Sequence, residues 1–193
     1  MSIEILETGA WNYNTTSHDE ITHFDSKLAD HIVNFIKENN IKSLFDFGCS
    51  TGYYLKHISE RLTDIRLTGV EPSVNERKDL HFENILDLDL AHSFSIGHKG
   101  LVMCLEVLEH IPAEFETVVI DNIKNHCDGY LILSWATPGQ GGYGHFNEKN
   151  TSDVIDLFNN NGFIFLEEET VSFRNSTEIG WLKNNLLVFK LNQ

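Results

Sequence analysis

Three cysteines, Cys49, Cys104 and Cys127, are too few and too widely spaced for a disulfide framework or a cysteine-based zinc site. Two of them sit in or beside apolar runs, the usual setting of a reduced, buried thiol, and no metal site is expected. Basic residues are also scarce. Lys and Arg total 14 against 29 Asp and Glu, a formal net charge of −15, so a broad cationic surface for polyphosphate is missing and a nucleic-acid substrate is disfavoured. The 10 histidines offset that charge only at mildly acid pH. No apolar run reaches membrane-spanning length, and Met1-Ser2-Ile3-Glu4 opens no signal peptide, which together indicate a cytoplasmic protein without a membrane anchor. Internal repeats, low-complexity tracts and Pro/Gly-rich linkers are absent too, so residues 1–193 read as one domain.

What is present is alternation. Phe24, Leu28, Ile32, Phe35 and Ile36 recur at helical spacing, and Ser43–Phe47 is a short strand ending in a glycine turn. Helices over Tyr53–Leu62, Val74–Asp79, Ala113–Asn125 and Asn150–Asn160 interleave with strands at Arg66–Val70, His81–Leu86, Leu101–Leu105 and Gly129–Trp135. Phe163–Phe173 and Leu186–Leu191 read as two final strands joined by a loop, pairing antiparallel at one edge. The fold class is therefore α/β: a Rossmann-like, doubly wound, mostly parallel sheet with an antiparallel C-terminal edge strand. Residues 1–23 are polar and lack core periodicity, and Trp11 and Tyr13 in that stretch point to a lid that meets a substrate.

Asp46-Phe47-Gly48-Cys49-Ser50-Thr51-Gly52 joins the first strand to its helix. Small residues there let backbone N–H groups approach a ligand. The spacing lacks the three glycines of a dinucleotide fingerprint and the lysine of a phosphate-binding loop, and the acid at its entry suits an ammonium group better than a phosphate. The same letters match the G-x-S-x-G elbow of α/β-hydrolases, with Ser50 as nucleophile and Asp128 and His145 as partners. Only one strand precedes the loop, which is early for that fold. Glu71, 19 residues after Gly52 at the end of the second strand, stands where an acid accepts ribose hydroxyls.

These segments resemble class I S-adenosylmethionine-dependent methyltransferases. The Asp46–Gly52 loop is similar to their first motif, with Ser50 for the usual middle glycine, and Gly69-Val70-Glu71-Pro72-Ser73 to their second. Leu101–Pro112, containing Leu105-Glu106-Val107-Leu108-Glu109-His110, is similar to their fourth-strand motif. The resemblance implies S-adenosylmethionine as cofactor, with Asp46 near its ammonium and Gly48, Cys49 and Gly52 against the methionyl part. It also implies Glu71 on the ribose, Asp87 or Asp89 on adenine, and Leu105 and Glu106 beside the sulfonium. Ser134–Asn147 is similar to the Trp-x-x-Pro-Gly-Gln…Gly-His-x-Asn segment of a small methyltransferase-like subgroup. Its glycines read as a mobile lid, its Gln140, Tyr143 and Asn147 as acceptor contacts, and its His145 as either general base or loop support. The implied reaction is methyl transfer to an oxygen or nitrogen of a small molecule or, alternatively, a protein side chain. A non-catalytic cofactor-binding subunit is the other reading of the same motifs.

Overall fold

The structure, a computed structural model, describes residues 4–12 and 24–192. Glu4–Ile5 (β1) and Trp11–Asn12 (β2) pair antiparallel in a small hairpin, so part of the N-terminal stretch is regular after all. Helix α1 (Ser26–Glu38) lays Leu28, Ala29, Ile32, Val33, Phe35 and Ile36 onto the sheet, as its spacing predicts. Asp25 caps it, accepting from the N–H groups of Lys27 and Leu28. The same carboxylate accepts from Thr177 Oγ1 at 2.6 Å and from the N–H groups of Glu178 and Ile179, tying the start of the helix to the C-terminal third of the chain. Burial opposes its ionisation, but these hydrogen bonds outweigh burial and hold its pKa below the ordinary value. Asp25→Ala is expected to cost about 2–4 kcal/mol, as a lost cap plus stranded donors. Urea denaturation checks this, and because a lowered carboxylate pKa stabilises only above the unfolded value, the deficit shrinks as pH falls through the carboxylate range.

The remaining elements alternate. β3 (Ser43–Phe47), α2 (Tyr53–Ser59), β4 (Arg66–Val70), β5 (Ile85–Leu86), β6 (Gly100–Cys104), α3 (Glu116–His126), β7 (Cys127–Ser134), α4 (Thr151–Asn160), β8 (Phe163–Phe165), α5 (Glu167–Ser176), α6 (Leu182–Asn185) and β9 (Leu186–Leu191) follow in order. The sheet runs β5-β4-β3-β6-β7-β9-β8, with β3, β4, β5, β6 and β7 parallel and β9 antiparallel to both of its neighbours. The C-terminal strand thus lies one place inside the rim, with β8 outermost. Successive residues of β3 serve opposite faces: Phe45 and Phe47 join the core with Val119, Ile123 and Phe158, whereas Leu44 packs with Leu28, Ile32, Leu55 and Phe173.

Three elements depart from expectation. The strand read over Phe163–Phe173 stops at Phe165, and Glu167–Ser176 is helix, so two helices rather than a loop lead to the last strand. Glu167, Glu168 and Glu169 fill the first turn of α5, where three acids complement the positive end of the helix dipole. Val74–Glu76 is a single 3-10 turn, and only Ile85–Leu86 of the His81–Leu86 segment pairs as strand. Among the described residues no helix is long and apolar enough to cross a membrane.

Candidate functional site

A cavity of about 620 Å³ opens beyond the C-terminal ends of the parallel strands, where open α/β sheets bind ligands. Its floor is the loop after β3. The N–H groups of Gly48 and Cys49 both donate to Val70 O, at 2.8 and 3.2 Å. A Cβ at Gly48 (φ +75°) would lie 2.3 Å from Val107 Cγ2, so only glycine fits between the loop and the turn after β6. Ser50 holds the left-handed conformation (φ +51°) that favours glycine, and its N–H donates to Glu71 Oε2 at 2.9 Å.

Asp46 and Glu71 stand side by side in this wall, 4% and 5% exposed. Burial, then the charge of Glu71, pushes the Asp46 carboxyl up to about 8. Burial and the two acids likewise push the Cys49 thiol well above its ordinary value, so it is neutral. A cationic ligand would relieve both strains at once. Asp89 also lines the cavity, its Oδ1 accepting from the N–H of Ala91. Asp87 instead accepts from the N–H groups of Ser73 and Asn75 and braces the turn beyond Glu71.

The opposite end is built from the turn after β6 and the segment after β7. Leu105 and Glu106 line the cavity. Glu106 has φ +55°, donates its N–H to Ser134 Oγ at 2.7 Å, and accepts from Gln140 Nε2 at 2.9 Å and Asn185 Nδ2 at 2.7 Å. Glu109 is fully buried, and neither of its carboxylate oxygens has a well-aligned hydrogen-bond partner among the described residues. Burial first, and Glu106 second, push its pKa well up. His110 Nδ1 lies 3.1 Å from Gly144 O, which can only accept, so that nitrogen carries the proton. His145 Nδ1 lies 3.3 Å from Glu148 Oε1. The N–H of Gly139 helps hold Glu148 below the ordinary value and therefore ionised, so His145 is also protonated on Nδ1. Burial, then His145, pushes His110 down to about 4, leaving a neutral ring.

The sequence of residues 21–186 matches the family model described as "Methyltransferase domain". The chain belongs to this methyltransferase family. No curated protein matches it in sequence. Solved structures share the fold at low identity. Magnesium protoporphyrin IX methyltransferase of Synechocystis, with bound SAH, is 18% identical with a TM-score of 0.61, over 87% of this chain and 83% of that one. A sugar N-methyltransferase of Streptoalloteichus is 16% identical with a TM-score of 0.66, over 86% and 87%. An N-methyltransferase of Bradyrhizobium japonicum, in complex with S-adenosyl-L-homocysteine, is 16% identical with a TM-score of 0.63, over 94% of each chain.

In the methyltransferase cavity, Asp46, Gly48, Cys49, Glu71, Asp89, Leu105 and Glu106 come together with Trp11, Gln140, Tyr143 and His145. Gly52 and Asp87 support this wall from behind. Gly52 (φ +84°) precedes α2, and a Cβ there would meet Phe82 Cβ at 2.8 Å. Asn147 does not line the cavity: it is 8% exposed, its Nδ2 donates to Glu116 and its carbonyl accepts from Trp135 Nε1, so it ties the loop to the core. The helix that follows starts after Asn150, whose side chain makes no capping hydrogen bond. Tyr13 lies outside the described residues. The glycine-rich segment is held at several points: Gly139 N–H to Glu148, Gln140 to Glu106, and the N–H groups of Phe146 and Asn147 to Glu109 O. Each bond ties the segment to the turn after β6 or to itself. Trp11 packs edge-on to His110 with centroids 5.0 Å apart and approaches Tyr143 at 6.4 Å, so the hairpin covers this end. Glu109, His110 and Asn185 were not singled out from sequence. A usable signal existed for one of them: Glu109 is an acid between the apolar residues Leu108 and Ile111.

Proposed function

We propose that this methyltransferase uses S-adenosylmethionine to methylate an oxygen or nitrogen of a small acceptor. The observation that carries the reading is the buried Asp46–Glu71 acid pair on a close-approach glycine loop, facing the same cavity as a polar Glu109–His110–His145 end. A buried carboxyl pushed up to about 8 is a site made for a cation, which the donor's ammonium and sulfonium supply. Asp46 would hold the ammonium, Glu71 the ribose and Asp89 the adenine amino group, with Gly48 and Cys49 against the methionyl chain and Leu105 beside the sulfonium. When bound, the cofactor supplies an electrophilic methyl group.

The chain's own work is alignment and exclusion of water. Trp11 and Tyr143 close the acceptor end, and Gln140 orients Glu106 there. With Nδ1 protonated on both rings, His110 and His145 carry their lone pairs on Nε2, so the expectation of His145 as the residue that activates an acceptor fits its tautomer. The concave cavity of about 620 Å³ favours a small molecule over a protein side chain, and the net charge of −15 disfavours nucleic acid. Cytoplasmic placement accords with three reduced, buried thiols.

The reading predicts proton release on cofactor binding. At pH 7 Asp46 is mostly protonated, and an arriving ammonium drives it to ionise, so close to one proton leaves per ligand, declining toward zero above about pH 9. Calorimetry in buffers of different ionisation heat measures this number, and Asp46→Asn is expected to abolish it. Binding without proton release by the wild type would separate Asp46 from the ligand.

A further inference from the structure

We propose that Glu109, His110 and His145 form a binding site for a divalent first-row transition metal at the acceptor end of the cavity. One donor atom from each residue lies within 4.8 Å of the others. Metal–nitrogen and metal–oxygen bonds of about 2.0–2.2 Å place tetrahedral ligands on one ion roughly 3.4 Å apart, so side-chain rotation must draw the most distant pair in by up to roughly 1.4 Å.

Three observations point to a ligand set rather than to a packing cluster. Glu109 is fully buried and lines the cavity, and with only the backbone N–H groups of Glu109 and Ala136 nearby neither carboxylate oxygen has a well-aligned partner among the described residues, a costly arrangement that a cation would repair. Both imidazoles are oriented as metal-bound histidines are: Nδ1 of His110 on the carbonyl of Gly144 and Nδ1 of His145 on the carboxylate of Glu148, leaving Nε2 of each as the electron-pair donor. Gly142 also packs beside His145 Nε2, and a Cβ there would lie 2.2 Å from that nitrogen, so only glycine leaves Nε2 unblocked on this side. Two imidazoles and a single carboxylate suit Mn²⁺, Fe²⁺, Co²⁺ or Zn²⁺, whereas Ca²⁺ and Mg²⁺ want mostly oxygen donors.

Three protein ligands leave coordination positions facing the cavity. Resting on the methyl-transfer reading above, this narrows the acceptor to a small hydroxyl compound, better still one with a second oxygen that can chelate. A hydroxyl coordinated to the ion becomes more acidic, its proton passes to solvent, and the oxyanion stays on the metal as the nucleophile. In this arrangement His145 activates the acceptor through the ion, as a ligand, in place of the direct proton removal given above.

The test uses the full chain, stripped with chelator and titrated with Co²⁺ while its visible d–d absorption is followed. One equivalent per chain is expected to develop ligand-field bands of a nitrogen/oxygen site and to be displaced by Zn²⁺. His110→Ala, His145→Ala and the isosteric Glu109→Gln are each expected to weaken binding at least ~10-fold, whereas Glu71→Ala leaves it unchanged. No saturable spectrum in the wild type, or an unchanged one in Glu109→Gln and the double histidine variant, would overturn the site. S-adenosylmethionine binding is measured in parallel. Cofactor binding without Co²⁺ binding overturns the metal site alone, and Co²⁺ binding without cofactor binding overturns the methyl-transfer reading while supporting the site.

Discussion

Glu71→Ala is expected to weaken S-adenosylmethionine binding at least ~100-fold while the chain stays folded. Hydrogen bonds from ribose hydroxyls to an ionised carboxylate contribute about 1.5–3 kcal/mol each, and ~100-fold corresponds to about 2.7 kcal/mol. The loss has a second source within the protein. Glu71 Oε2 also holds the N–H of Ser50, and that bond helps keep a non-glycine residue at φ +51° on the cavity floor. Alanine removes both the ligand contact and the brace. Glu71→Gln keeps an acceptor for Ser50 and for one hydroxyl, so it should fall between wild type and alanine. Calorimetry reports affinity and circular dichroism reports folding. An alanine variant that binds with wild-type affinity would remove Glu71 from the site.

Asp46→Asn is expected to stabilise the ligand-free protein at alkaline pH by a few kcal/mol, on the order of the cost of a buried carboxylate that titrates far from its unfolded value. The native carboxyl titrates at about 8, and its ordinary value is 3.8. Between those two pH values the folded state holds a proton that the unfolded state has released. Wild-type stability therefore falls as pH rises through that window, and levels off once both states are ionised. Asparagine cannot titrate, so the variant's slope over this window should be flatter, and the gap between the proteins should widen up to about pH 8. Urea denaturation at several pH values reads both slopes. A wild type with the same pH profile as the variant would contradict the assignment. The same substitution is expected to impair cofactor binding, a trade of function against stability that is common where binding sites bury charge.

These two acids were legible in the sequence because their signals are local. The loop that starts at Asp46 follows a short apolar strand, and Glu71 ends the next one, so motif and spacing alone place them together at the sheet's ligand edge. Asp87 and Asp89 were not separable in that way. They lie two residues apart in the same irregular segment after β5, and only the contacts of Ser73 and Asn75 with Asp87 distinguish the brace from the cavity residue. The strand assigned to Phe163–Phe173 failed because apolar residues at both ends outweighed the acidic run Glu167–Glu169, which starts a helix by its interaction with the dipole. Asn147 and Asn185 show the limit more sharply. Asn147 carries the letters of an acceptor contact but is committed to Glu116, while Asn185, 79 positions from Glu106, enters the site only through the packing of α6 under the cavity rim. Glu109 was hidden inside a motif whose other acid drew the reading. Burial, which sequence reports poorly for a single acid, is what sets it apart.

The most direct test of the central claim is equilibrium dialysis of the wild-type chain against methyl-labelled S-adenosylmethionine. Saturable binding of one equivalent per chain, displaced by S-adenosylhomocysteine and lost in Glu71→Ala, is the predicted result. Absence of saturable binding by folded wild-type protein would contradict it.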